Sequence, residues 1–182
     1  MNSKLKSIVY TAVFAALCCV ATLVIILPLP NGYLNLGDVF VLLSGWFLGP
    51  IFGAIASAIG SMTADIISGY VQYAPVTFVV KGVVSLASYL VWVMLKKVIK
   101  AEKNDFIARA ISALIAESLM VLGYFIYESI LYGIAGGALA LLGNTIQGVG
   151  CTVVAVLLMI AVCNIKYFRK LFPLISRNSD SE

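Results

Sequence analysis

Residues 38–68 have the sequence DVFVLLSGWFLGPIFGAIASAIGSMTADIIS, in which Asp38 and Asp65 are the only charged side chains. A run this apolar suits the interior of a bilayer, where a spanning helix needs about 20 apolar residues. The pair Gly49-Pro50 in its middle is a strong turn signal. The stretch therefore predicts two spans joined by a tight turn, one from about Asp38 to Leu48 and one from Ile51 to Ser68.

The composition of the whole chain supports this interpretation. Its 182 residues are 62% hydrophobic and 11% charged, with no histidine and a mean hydropathy of +1.07. A soluble domain is roughly 45–50% apolar and about 25% charged. The lack of histidine excludes H-E-x-x-H zinc chemistry and histidine-activated nucleophiles, and no G-x-x-x-x-G-K-[ST] loop for nucleotide hydrolysis occurs. We therefore expect a membrane protein that is not an enzyme and has no cofactor or metal site. Energy for active transport would come from another chain or an ion gradient.

Turn signals along the chain predict an all-α membrane protein, a compact bundle of six transmembrane helices. It forms a single domain over residues 1–175, followed by a polar C-terminal tail at 176–182. Besides the two spans above, the predicted spans run from Ser7 to Leu27, from Val76 to Leu95, from Phe106 to Tyr132, and from a glycine-rich connection, Gly133–Gly143, to about Asn164.

Basic residues orient this bundle, because lysine and arginine beside a span tend to stay in the cytoplasm. With six spans, each of the 12 basic residues except Lys81 falls on one side. Both termini are then cytoplasmic in a multi-pass protein of the bacterial cell membrane, and the net charge of +4 requires no nucleic-acid partner. The connections that face outward carry tyrosines such as Tyr73, which either roof a pocket or anchor the membrane interface.

Charged groups at membrane depth usually face a protein interior or a watery cavity, so they are candidates for function. Asp38 is placed to cap the start of its helix. Asp65 and Lys81 lie at similar depth on neighbouring spans, and we expect them either to form an ion pair or to contact a ligand. Trp46 either stacks on a flat ligand or lies at the cytoplasmic interface.

Two sets of polar residues each share one face of a predicted span. Glu117, Tyr124 and Glu128 are spaced by seven and then four residues, which places them within a narrow arc of the fifth span. Asn144 and Gln147 are three residues apart on the last span, and their amides either bind a heteroaromatic ring or join helices. Glu128 is the better candidate for solute binding, whereas Glu117 lies deeper and is a candidate packing or gating residue.

Ala12 and Ala16 form a row of small side chains on the first span. Such a row allows another helix to approach closely in lipid, where apolar burial supplies no association force. The row either packs within this chain or meets another membrane subunit.

Several short motifs together resemble the substrate-binding S components of energy-coupling factor (ECF) vitamin transporters. The likeness is greatest to the branch that takes up hydroxymethylpyrimidine, pyridoxine or queuosine precursors, and it extends over essentially the whole chain. The motifs are Asn35-Leu36-Gly37-Asp38, Gly45-Trp46-Phe47-Leu48-Gly49-Pro50, Ala64-Asp65, and Tyr73-Ala74-Pro75 followed by Lys81-Gly82.

This resemblance implies a subunit that binds a vitamin or vitamin precursor near the outer face and docks on a membrane T component energised by two ATPase subunits. The row of Ala12 and Ala16 matches the docking surface of the family, and Asn35 matches its lid loop. A self-sufficient proton-coupled carrier is the alternative, motivated by the acids Glu117 and Glu128. With the pocket candidates chosen by geometry, the predicted substrate-binding residues are Asn35, Tyr73, Lys81, Tyr124, Glu128, Asn144 and Gln147.

Overall fold

The computed structural model describes residues 3–24, 26–29, 32–98 and 105–172. The described chain is built almost entirely from helices, as predicted, and four of them are long and apolar enough to span a membrane. The polar tail at 176–182 lies outside the described residues. Three of the basic residues from which the orientation was predicted, Lys100, Lys103 and Arg177, also lie outside them. The elements are α1 (Ser3–Val24), β1 (Ile26–Leu29), β2 (Gly32–Asn35), α2 (Gly37–Ile67), α3 (Ala74–Val98), α4 (Asp105–Cys163) and α5 (Lys166–Leu171).

Helix α2 reverses its direction at Gly49, whose φ of 81° and ψ of −174° are not helical. The hydroxyl of Ser44 donates to the Gly53 carbonyl at 3.2 Å and lies 2.6 Å from the Ser57 hydroxyl, thirteen residues away. Thirteen residues of straight helix would separate them by about 20 Å. The turn that Gly49-Pro50 predicts is therefore present, and Pro50 begins the returning segment where its missing N–H costs nothing.

Helix α4 reverses in the same way at Gly133, with φ 77° and ψ 168°. A Cβ at Gly148 would lie 3.0 Å from Glu117 Cβ, so the two segments pack side by side. The predicted connection over Gly133–Gly143 is wrong, since the chain is helical again from Ile134. Alanine and leucine between the glycines favour helix, and one glycine suffices for the turn.

A short antiparallel hairpin joins α1 to α2, which the sequence analysis did not predict. Ile26 pairs with Asn35, and Leu29 pairs with Gly32. The predicted first span, Ser7 to Leu27, is therefore too long at its end, because α1 stops at Val24 and β1 begins two residues later. The hairpin brings Asn35 back over the end of the bundle.

The α2 hairpin is the centre of the bundle and packs against both α1 and α3, while α3 packs against α4. Small side chains allow the close approach, since a Cβ at Gly53 would lie 2.8 Å from Gly45 Cα. The hydroxyls of Ser44 and Ser85 meet at 3.0 Å between α2 and α3. Interhelical hydrogen bonds of this kind are typical of helix packing in lipid.

Substitution of Gly133 by alanine is expected to destabilise the protein by about 1–3 kcal/mol, because its backbone conformation is accessible almost only to glycine. An added Cβ would meet no atom within 4 Å, so strain alone causes the loss. Thermal unfolding in detergent measures it. The matched control is Gly150→Ala, at a helical glycine with equally open space, where the change should be neutral or stabilising. Equal unfolding temperatures for the two variants would contradict the role of Gly133.

Candidate solute-binding cavity

A cavity of about 650 Å³ opens at the end of the bundle that carries the β-hairpin. Its volume lies within the roughly 300–1,000 Å³ typical of small-molecule sites. Every residue that the sequence analysis assigned to substrate binding lines this cavity, namely Asn35, Tyr73, Lys81, Tyr124, Glu128, Asn144 and Gln147.

Lys81 forms an ion pair with Asp38. Of the two alternatives for Asp65 and Lys81, the ion pair between them is therefore wrong, and contact with a ligand stays a prediction. Lys81 Nζ lies 2.5 Å from Asp38 Oδ1, and both side chains are buried. The other carboxylate oxygen, Asp38 Oδ2, accepts a hydrogen bond from Gln147 Nε2 at 2.6 Å. Lys81 pairs with Asp38 and not with Asp65 because the Asp38 carboxylate also accepts a hydrogen bond from the Gln147 amide. Hydrogen bonds to a charged group are stronger than those between neutral groups. The predicted cap by Asp38 is also absent, because its two carboxylate oxygens are bonded to Lys81 and Gln147.

Gln147 links this ion pair to the β-hairpin. Its Oε1 accepts hydrogen bonds from the backbone N–H of Asn35 at 3.0 Å and from Asn35 Nδ2 at 3.3 Å. Asn35 Oδ1 in turn accepts from the backbone N–H of Gly37 at 3.0 Å. A single network therefore joins β2, α4, α2 and α3 through Asn35, Gln147, Asp38 and Lys81. We call these four residues the polar network.

Aromatic rings form another part of the cavity wall. The Tyr124 hydroxyl lies 2.9 Å from Thr77 Oγ1, and Lys81 Nζ lies 5.3 Å from the centre of the Tyr124 ring. Near the mouth, the hydroxyls of Tyr73 and Tyr132 are 3.5 Å apart. Such rings offer flat surfaces against which a heterocycle can stack.

Of the three residues predicted to share a face of the fifth span, two line the cavity and one lies below it. Tyr124 and Glu128 line the cavity, whereas Glu117 lies deeper and is 3% exposed. Neither carboxylate oxygen of Glu117 accepts a hydrogen bond from a residue that the structure describes. Glu117 packs against Gly148, one residue after Gln147 of the polar network.

Trp46 lies at the other end of the bundle, away from the cavity, so it does not stack on a ligand there. It is fully buried. The Arg109 guanidinium lies between two indoles, 3.9 Å from the Trp92 ring centre and 5.4 Å from that of Trp46, and its Nε donates to Asp105 at 2.8 Å. Arg109 is one of the basic residues from which the orientation of the bundle was predicted, and it is also a packing residue.

The row of Ala12 and Ala16 is exposed on α1. Its neighbour Cys18 faces inward, and a Cβ at Gly60 of α2 would lie 2.8 Å from Cys18 Cβ. The inner face of α1 therefore packs within the chain, while the alanine row remains available on the outside.

Several cavity residues were not predicted from the sequence, among them Thr22, Ser61 and Thr77. Asp65 was predicted to pair with Lys81 or to contact a ligand, and it also lines the cavity. A signal was present for one pair, since Ser61 and Asp65 are four residues apart and share a helix face. Serine and threonine are also common where helices pack against each other, so this spacing did not by itself predict a cavity wall.

The fold and the cavity define a multi-pass membrane protein that can enclose a small solute at one end of a helical bundle. A family model of the ECF-type riboflavin transporter S component matches residues 2–164. The chain therefore belongs to the S components of ECF-type transporters, which confirms the predicted family but not the branch within it. It is also 33% identical, over 129 residues, to a protein of Pyrococcus woesei described as "Uncharacterized protein in gap 3'region". The match covers 70% of this chain and 80% of that protein.

Proposed function

We propose that this chain is the substrate-specific subunit of an ATP-driven importer and captures a vitamin-sized heteroaromatic solute in the cavity of about 650 Å³. The cavity is the observation that carries the proposal. It combines flat tyrosine surfaces with a few fixed polar groups, the arrangement that gives small-molecule sites their affinity and orientation. The polar network places Asn35 of the β-hairpin above this cavity, as a lid would require.

The proposed topology has six spans with both termini in the cytoplasm of a bacterial cell. A straight helix of 59 residues, the length of α4, would measure about 88 Å, against a hydrocarbon core of about 30 Å. Reversal at Gly49 and Gly133 turns α2 and α4 into two spans each. The cavity then faces outward, because Lys96 and Lys97 end α3 at the opposite end of the bundle from the cavity, and basic residues beside a span tend to stay in the cytoplasm.

The proposed substrates are hydroxymethylpyrimidine, pyridoxine and queuosine precursors, the compounds of the branch that the motifs resemble. Riboflavin joins them because the matching family model is named for it. All are flat heterocycles with donors and acceptors on their edges. Tyr124 would stack on the ring, and Asn144 and Glu128 would meet its polar edge.

The proposed partners are a membrane T component and two cytoplasmic ATPases, since the chain itself carries no loop for nucleotide hydrolysis. Ala12 and Ala16 supply the docking row. An exposed row of small side chains suits close contact with a helix of another subunit.

A proton-coupled carrier is the second candidate function. Its specific support is Glu117, a carboxylate buried at membrane depth without a hydrogen-bond partner among the described residues. Ionisable residues of this kind occur in the proton relays of transporters. In such a carrier, protonation of Glu117 would accompany each transport step.

Uptake by proteoliposomes separates the two functions. Vesicles that contain the chain, its T component and both ATPases should accumulate a labelled substrate when ATP is enclosed, and vesicles with the chain alone should not. Accumulation by the chain alone, driven by an imposed pH gradient, would overturn the importer and support the carrier.

A further inference from the structure

Asp65 and Ser61 are two buried polar residues on the α2 wall of the cavity. Asp65 is 7% exposed and Ser61 is 2% exposed. Asp65 Oδ2 and Ser61 Oγ have no hydrogen-bond partner among the described residues. Buried polar groups are nearly always hydrogen-bonded, because an unsatisfied one loses its water without compensation. These two atoms therefore call for a partner from outside the chain.

Lys81 does not neutralise Asp65, although it is the cation of this region. Its ammonium lies 2.5 Å from Asp38 Oδ1, and Asp38 is fully buried behind the cavity wall. The charges of Lys81 and Asp38 cancel. Two further carboxylates, Asp65 and Glu128, then remain on the lining, with no second lysine or arginine among the lining residues to oppose them. A cavity of this charge favours a cation over an anion.

We propose that Asp65 is the specificity-determining residue of this site and binds an amine or protonated nitrogen of the solute. The Asp65 carboxylate accepts a hydrogen bond from the nitrogen, and Ser61 lies one helical turn away on the same lining. The inference rests on the proposed function and narrows its substrate class to amine-bearing heterocycles. Hydrogen bonds between a cationic donor and a carboxylate are among the strongest in proteins, so this contact would separate solutes of otherwise equal shape.

Matched ligand pairs that differ at one group test the proposal. Three pairs of probes are used, and riboflavin is added as a further probe. They are pyridoxamine and pyridoxine, hydroxymethylpyrimidine with its ring amine and the analogue with a hydroxyl in place of that amine, and aminomethyl-deazaguanine and cyano-deazaguanine. Affinities are measured by calorimetry on the purified full chain in detergent. We expect the amine of one pair to bind at least about tenfold more tightly than its partner. In Asp65→Asn this preference should fall to less than about threefold.

Two further variants make the result specific. Ser61→Ala should weaken the same amine by a smaller factor. Glu128→Gln changes the other carboxylate of the lining; because Glu128 is itself a proposed solute contact, this change should weaken both members of a ligand pair by similar factors and leave their ratio in place. Monodisperse elution and an unchanged unfolding temperature show that Asp65→Asn has folded.

Binding of the hydroxy, cyano or riboflavin probe without preference for an amine would overturn the inference while the proposed function stands. The same holds if Glu128→Gln, and not Asp65→Asn, removes the preference. Failure of folded wild-type protein to bind any probe would overturn both the inference and the proposed function.

Discussion

Lys81→Met is expected to abolish tight solute binding and to lower the free energy of unfolding by about 3–5 kcal/mol, the usual loss when one partner of a buried ion pair is removed. Methionine leaves the Asp38 carboxylate buried with only Gln147 as a partner. The position of Gln147, which accepts hydrogen bonds from Asn35, is then no longer fixed by the ion pair. Chemical unfolding in detergent gives the stability, and calorimetry gives the affinity.

The double variant Asp38→Leu, Lys81→Met is the control for this prediction. Replacing a buried ion pair by apolar residues of similar size is often neutral or stabilising, so stability should return. Solute binding should remain lost, because neither Gln147 nor the β-hairpin is then held in place. Wild-type affinity in the single variant would show that the polar network does not organise the site.

Ala16→Leu is expected to abolish uptake by the assembled importer and to leave solute binding unchanged. The side chain is exposed on α1, remote from the cavity lining. A leucine there would separate two helices that a row of small residues allows to meet closely. Solute affinity of the purified variant and uptake by proteoliposomes with all partners measure the two effects separately.

Ala161→Leu is the matched control for the docking row. It makes the same change at an exposed alanine on α4, outside the proposed docking row. Uptake should stay at the wild-type level. Normal uptake by Ala16→Leu would remove the docking role from this row, and equal loss in both variants would show a general effect of bulk.

Helical periodicity predicted much of the cavity because it fixes which side chains share a face. Tyr124 and Glu128 share one face, as do Asn144 and Gln147, and all of them line the cavity. The pair Gly49-Pro50 likewise predicted a reversal of the chain at the position where the structure has one. These features depend on local chemistry, which a single sequence contains.

The partner of Lys81 could not be predicted in this way. Asp38 and Asp65 both lie near the same end of the bundle, and the spacing of residues gives depth but not which helices are neighbours. The choice of Asp38 depends on Gln147, which comes from α4, 109 residues later in the chain. The β-hairpin was missed for a different reason, because β1 contains Pro28 and a proline within an apolar run argues against a strand.

The most direct test of the solute-binding claim is a thermal-shift titration of the purified wild-type chain with hydroxymethylpyrimidine, pyridoxamine, pyridoxine, deazaguanine precursors and riboflavin. One compound should raise the unfolding temperature. At a free concentration of 100 times its Kd, it should stabilise the folded chain by about 2.7 kcal/mol. Ala140→Phe, which fills the cavity from its lining, should remove that shift. If no compound stabilises the folded wild-type chain, or if the shift persists in Ala140→Phe, the cavity is not the binding site of an S component.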